Sequence, residues 1–133
     1  MSTNRYKRTR DDHSMESAED YVELIEELID ARGEARVVDI AGKLAVSNVA
    51  VSKAVHRLQR DGYVMSQPYR SIFLTDQGRA LAERAKEKHK LVHDFLVDLG
   101  VPAAAADSDA EGIYHHVSEE TLAAMRRHLD KRT

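Results

Sequence analysis

Residues 39–64 read DIAGKLAVSNVAVSKAVHRLQRDGYV, and this stretch decides the fold. Val37 to Leu44 is a short helix, and AVSN is a tight turn. Ser47 is placed to cap a second helix from Asn48 to Asp61, with apolar residues at 51, 55 and 58 and a stop at Gly62. The turn puts Ala41, Leu44 and Val46 inside. Beyond it, Tyr63–Met65 and Ile72–Leu74 run apolar around the polar tip SQPYRS, the pattern of a β-hairpin. Helix, short turn, helix and hairpin, in that order, is a winged helix-turn-helix.

Working outward, apolar residues at 18, 21, 22, 25, 28 and 29 give a helix over Glu16–Arg32, stopped by Gly33. On the other side, Thr75 caps a long helix from about Asp76 to Leu99, closed by Gly100 and Pro102. A fifth helix covers AAAADSDAEGIYHH, with a break expected near Ser108. Ser118 caps a sixth, with Glu119 and Glu120 in its first turn, where the helix dipole favours acids. The expected fold class is mainly α: a winged helix-turn-helix followed by an all-helical dimerisation domain. The expected boundaries are a flexible basic tail at 1–14, a DNA-binding domain at 15–75 and a helical metal-binding and dimerisation domain at 76–133.

The chain has 133 residues, a size that suits one ordinary domain or two small units. Five Tyr, two Phe and no Trp make the core mostly aliphatic. With no Cys, disulfides and thiolate metal sites are excluded. No apolar run approaches a membrane span of ~20 residues. The N-terminus lacks the apolar segment of a signal peptide, so a cytoplasmic location is expected, without a membrane partner.

The net charge is -3, but it is unevenly spread. Between Lys43 and Ile72 stand Lys43, Lys53, Arg57, Arg60 and Arg70 against Asp61 alone, whereas Met15–Asp39 holds nine acids and two Arg. A locally basic helix and hairpin can form a DNA-binding face inside an acidic protein. The DNA-facing candidates are Ser47, Asn48, Val49, Val51, Ser52, Lys53, Arg57 and, at the hairpin tip, Arg70. Small residues at the start of the second helix let the backbone approach the major groove. Lys53 and Arg57, one turn apart, reach phosphates or guanine edges. A winged helix can also serve as a protein-interaction module, but the concentration of basic residues on these elements favours DNA. One such unit binds DNA weakly, so a homodimer reading a palindromic operator is expected. Val92, Phe95, Leu96, Leu99 and Val101 form an apolar stripe suited to that interface.

Carboxylates and imidazoles recur on three helices. Asp20 and Glu23 share a face at i, i+3. His89 falls on the same line as Ala82, Ala85, Val92 and Leu96, a face expected to be buried. Glu111 and His115 stand at i, i+4. Taken singly, the acids fit a solvated helix face and His89 fits a satisfied core histidine. If the five converge, three carboxylates and two imidazoles without sulfur suit Mn²⁺ or Fe²⁺.

SAEDYVELI, GEARVVDIAGKLAVS, YRSIFLT, KHKLVHDFL and DAEGIYHHVSEET, in this order and spacing, resemble the manganese transport regulator (MntR) branch of the diphtheria-toxin-repressor family. The resemblance runs from about Ser17 to the end. It implies a homodimeric winged-helix repressor, activated by Mn²⁺, with Fe²⁺ as the alternative effector, that shuts off metal-uptake genes. It places metal ligands on Asp20, Glu23, His89, Glu111 and His115. Metal held between the two domains would fix the spacing of the DNA-binding units. One position departs: the family pattern carries Glu, a ligand of a two-metal site, where this chain has Tyr114. A phenol with a pKa of ~10 is a poor Mn²⁺ ligand at neutral pH. Either one metal is held by the other five side chains and water, or His93, Asp107 or His116 substitutes.

Two further readings remain open on the residues alone. One is a winged-helix regulator that does not depend on metal. The other is a carboxylate-bridged metalloenzyme, which needs two Glu-x-x-His pairs that the chain lacks. No nucleophile-elbow serine is present either. No enzyme and no small organic substrate are expected.

Overall fold

The computed structural model describes residues 2–66 and 71–132, with side chains from Met15 onward and at Tyr6. The elements, in order, are α1 (Ser2–Arg32), α2 (Val37–Leu44), α3 (Asn48–Arg60), β1 (Val64–Met65), β2 (Phe73–Leu74), α4 (Asp76–Asp98), α5 (Ala103–Ile113), a 3-10 turn (Tyr114–His116) and α6 (Glu119–Arg132). The chain divides into two compact units. The winged unit is Ser17–Glu83, and the helical unit comprises Met1–Glu16 and Arg84–Thr133.

In the winged unit, the helix-turn-helix forms as its sequence dictates. Ser47 Oγ accepts from Ala50 N–H at 3.0 Å, capping α3. The turn before it requires a left-handed residue, and Ala45 supplies it at φ 57°. Its N–H closes on Ala41 O, and the Val46 N–H donates to the same oxygen at 3.1 Å. That geometry turns Val46 outward, so it is exposed rather than inside as expected. Val22, Ile25 and Leu28 of α1 enter one apolar cluster with Ile40 of α2 and Val51, Val55 and Leu58 of α3. Val64, Ile72, Leu74 and Ala82 complete it.

The wing is a two-stranded antiparallel hairpin in which Val64 pairs with Leu74 and Met65 with Phe73. Its outgoing strand is tied back by Ile72 N–H donating to Ala35 O at 2.8 Å. Thr75 fastens its base. The hydroxyl donates to Gly62 O at 2.6 Å and accepts from Gly78 N–H at 3.0 Å, and the Thr75 N–H donates to Tyr63 O at 3.0 Å. Gly78 is needed for this closeness, because a Cβ there would stand 2.0 Å from Tyr63 O.

The helical unit has its own core of Ala85, Leu91, Val92, Ala110, Tyr114 and Leu122, flanked by Leu96, Val117, Met125 and Leu129. Asp98, at the end of α4, pins α6 by accepting from His128 Nε2 at 2.6 Å and pairing with Arg132 Nε at 3.1 Å. Near the start of α6, Arg84 of α4 pairs with Glu119. The Arg84 guanidinium holds the Glu119 carboxyl below its ordinary value.

Several boundaries differ from expectation. The stretch 1–14, expected as a tail, is helical from Ser2, since nothing in STNRYKRTRDDHS interrupts α1. By packing, the first turns of α4 group with the winged unit as far as Glu83, since they carry Gly78 against the wing and Ala82 into the winged core. No break occurs at Ser108, and α5 runs unbroken to Ile113. Val92 belongs to the helical unit's own core, so it cannot contribute to an exposed stripe. Val97 and Leu99 remain exposed at the end of α4. Among the described residues, no helix is long and apolar enough to cross a membrane.

Candidate metal centre and nucleic-acid interface

The first-half candidates lie on the winged unit. Asn48, Val49, Ser52, Lys53 and Arg57 are all exposed on α3, as is the capping Ser47. α3 carries no acid, so its outer face is uniformly neutral or basic. Its N-terminus, with the small residues Ala50 and Ser52 at the surface, suits close approach to a phosphate backbone. Val51 is the correction: it is fully buried, so its role is to seat α3 and not to touch DNA. Its position was legible as core, since 51, 55 and 58 form the apolar line of the helix. His56 was missed: exposed one turn after Ser52, it extends the same outer face. Arg57 also acts on α1, where its charge opposes the upward push that burial gives the Tyr21 phenol. Arg70, expected at the wing tip, lies outside the described residues. On α1, Asp20 and Glu23 lie one turn apart and are partly buried.

Within the helical unit, the candidates His89 and Glu111 come together. His89, on α4, directs Nε2 at α5. That nitrogen lies 3.2 Å from Glu111 Oε2 and 3.6 Å from Asp107 Oδ1. It is buried and makes no hydrogen bond among the described residues. A buried ring nitrogen facing two carboxylates without a hydrogen bond is costly as it stands and fits a site built for a cation. The donors are imidazole and carboxylate only, a set that suits Mn²⁺ or Fe²⁺.

His115 is buried as well, but not by a continuous helical face with Glu111. α5 gives way to a 3-10 turn at Tyr114–His116, in which Tyr114 and His115 are both buried. Tyr114 is fully buried. Its ring stacks on His115 at 3.8 Å between centroids and meets His89 edge-on at 5.8 Å. Tyr114 therefore packs against two candidate ligands at once. The two remaining substitutes are engaged elsewhere. His116 Nε2 lies 2.9 Å from Glu16 Oε2, and His93 Nδ1 lies 3.1 Å from Asp94 Oδ1. Lys90, and secondarily His93, hold the Asp94 carboxyl below the usual range.

Comparison with known proteins accounts for this pairing of units. Residues 13–72 match the iron-dependent repressor N-terminal DNA-binding domain, and residues 75–133 match the metal-binding and dimerisation domain of the same repressors. The transcriptional regulator MntR of Escherichia coli O6:H1 is 46% identical over 126 residues, which cover 95% of this chain and 81% of the relative. The chain belongs to the diphtheria-toxin-repressor family, in its MntR branch. Solved members of this family share the fold. The manganese regulator SloR superposes with a TM-score of 0.72 at 31% identity, over 85% of this chain and 53% of that one. A manganese-dependent transcriptional repressor in complex with manganese gives a TM-score of 0.75 at 27% identity, over 85% of this chain. This chain spans about half the length of those two solved chains, at 53% and 52%. As a family member, the chain is a metal-dependent, DNA-binding transcriptional regulator and not an enzyme. Its helical unit corresponds to the family's dimerisation domain.

Proposed function

We propose that this chain is a Mn²⁺-activated, homodimeric repressor that binds a palindromic operator of metal-uptake genes in the cytoplasm. The effector is a metal ion and not a small organic molecule. The observation that carries this is the buried His89 Nε2 facing Glu111 and Asp107, in the half of the chain that matches a metal-binding domain. The MntR relatives and the manganese-bound repressor structure support Mn²⁺ as the ion.

The proposed ligands are His89, Glu111 and His115 of the helical unit, with Asp20 and Glu23 of the winged unit. A bound divalent cation supplies the positive charge that these carboxylates and imidazoles lack among themselves. The chain's own residues do the rest. α3 presents Asn48, Val49, Ser52, Lys53 and Arg57 to the major groove, and the exposed Val97 and Leu99 contribute apolar surface to a dimer. Two α3 helices reading a palindrome must sit ~34 Å apart, one helical turn of DNA. Ligands drawn from both units restrict how the winged units sample that spacing, which raises affinity without new base contacts. A coupling of this kind is typically worth about 1–3 kcal/mol, or roughly 5–150-fold in operator affinity.

A gel shift on the promoter of a metal transporter tests the reading. Retardation is expected with Mn²⁺ and not with a chelator. Chelator-insensitive retardation would establish the metal-independent alternative instead. The donor set also suits Fe²⁺, so an anaerobic Fe²⁺ series belongs in the same experiment. Tighter operator binding with Fe²⁺ than with Mn²⁺ would make iron the effector.

A further inference from the structure

The outer face of α3 has a centre, and His56 stands in it. At 3.6 residues per turn, Val49, Lys53, His56 and Arg60 fall within an arc of about 60°, opposite the buried line of Val51, Ala54, Val55 and Leu58. All four are exposed. Arg57 lies about 70° to one side of that centre, and its charge reaches the Tyr21 phenol of α1. The side chains that meet a groove head-on are therefore Val49, Lys53, His56 and Arg60. His56 has only cations for charged neighbours on its helix: Lys53 three residues before, Arg57 beside it and Arg60 four residues after, in a helix without an acid. The acid that follows, Asp61, pairs with Arg60 at 3.4 Å. His56 is exposed, so no other element covers it, and among the described residues it makes no hydrogen bond or ion pair. An exposed imidazole on a cationic face, with no acid of the protein to hold its proton, finds its anion on DNA.

We propose that His56 is a DNA-contacting residue: its imidazolium pairs with a backbone phosphate, and the complex takes up a proton from solvent at this ring as it forms. This deepens the DNA-binding reading above and rests on it. A phosphate beside the ring favours the charged form, and imidazole is the side chain whose charge changes between about pH 5 and 8. The charged form binds DNA better, so the contribution is full at the acid end of that range and is lost as pH rises through it. Neutralising one phosphate adds about 0.9 to the steepness of log affinity against log salt, so the slope per chain should be steeper by about that amount in mild acid than in mild base.

The test is fluorescence anisotropy of the full chain on a labelled duplex carrying the promoter of a metal transporter. It is run at several salt concentrations, at about pH 6 and about pH 8, with Mn²⁺ saturating at both. His56→Gln should bind about threefold or more weakly than the parent at the lower pH, match it at the higher, and lose the change in salt slope between them. His56→Lys should keep the parent's low-pH affinity and slope at both. Melting curves of both variants should match the parent, since the side chain is exposed. A His56→Gln variant with the parent's affinity and pH-dependent slope would overturn the proposal and leave the DNA-binding reading standing. So would a His56→Lys variant that behaves as His56→Gln does. A parent that binds the duplex at neither pH would overturn both.

Discussion

Tyr114 offers the sharpest perturbation, because it is both the largest fully buried side chain and the neighbour of two candidate ligands. Truncating it to Ala removes an aromatic ring from a small core in which Leu91, Val92 and Leu122 are the main companions. Aromatic-to-alanine changes at such sites cost about 3–5 kcal/mol. At an unfolding entropy of about 2.1 cal/mol/K per residue, a chain of this size melts roughly 10–18 °C lower. Tyr114→Phe keeps the ring and loses only what the hydroxyl contributes, about 1–3 kcal/mol for a buried group. The two variants also separate packing from ligation. If the ring orients His89 and His115, Tyr114→Phe binds Mn²⁺ as the parent does, and Tyr114→Ala binds it more weakly even below its melting temperature. Tyr114→Glu adds a third arm. A carboxylate in this dry site destabilises the metal-free chain, and Mn²⁺ restores stability by mass action if the carboxylate becomes a ligand. Thermal melting and calorimetric titration read all three. A Tyr114→Ala variant that melts within about 3 °C of the parent would refute the packing argument. A Tyr114→Glu variant with unchanged Mn²⁺ stoichiometry would refute the claim that this position limits metal capacity.

Three other outcomes follow from the geometry. Gly78→Ala forces a Cβ against Tyr63 O and should cost at least about 1–3 kcal/mol, read as a lower denaturant midpoint; an unchanged midpoint would mean that the base of the wing adjusts freely. Lys53→Ala should weaken DNA binding across sequences and reduce the salt slope by about one, read by fluorescence anisotropy at several salt concentrations; an unchanged slope would take Lys53 off the phosphates. Arg84 depresses the Glu119 pKa, so this pair's stability is present above the unfolded carboxylate pKa of ~4.3 and is lost as pH falls through the folded value. Glu119→Gln should therefore lower stability at neutral pH by no more than about 1 kcal/mol, because Glu119 is largely exposed, and that difference should vanish in strong acid. A difference that persists in acid would point to lost packing instead.

The helix-turn-helix was legible because three local signals agree over residues 39–64: helical periodicity, a capping Ser47 and a stop at Gly62. The wing was legible from its apolar strands, but its anchoring was not. The bonds from Thr75 to Gly62, and from Ile72 to Ala35, join residues far apart in sequence. For the site, His89 could be placed on a packing face from the line Ala82, Ala85, Val92 and Leu96. What spacing could not show was the 3-10 turn at Tyr114–His116, where His115 is buried with its ring against that of Tyr114. Nor could spacing choose among His93, Asp107 and His116. The fold separates them by partner, since two face carboxylates elsewhere and only Asp107 faces His89. Val51 is the reverse case: it lies on the helix that faces DNA, yet its place on the 51, 55, 58 line puts it in the core.

The central claim is that metal ligation in the helical unit controls DNA binding by the winged unit. Glu111→Ala tests it most directly, because Glu111 is exposed on α5, away from α3 in sequence, and lies beside His89 Nε2. The measurement is operator binding by fluorescence anisotropy with saturating Mn²⁺, alongside sedimentation of the same sample. The account predicts that the variant stays a dimer and loses most of the Mn²⁺-dependent gain in operator affinity. A Glu111→Ala dimer that binds the operator with the parent's affinity and the parent's response to Mn²⁺ would contradict it.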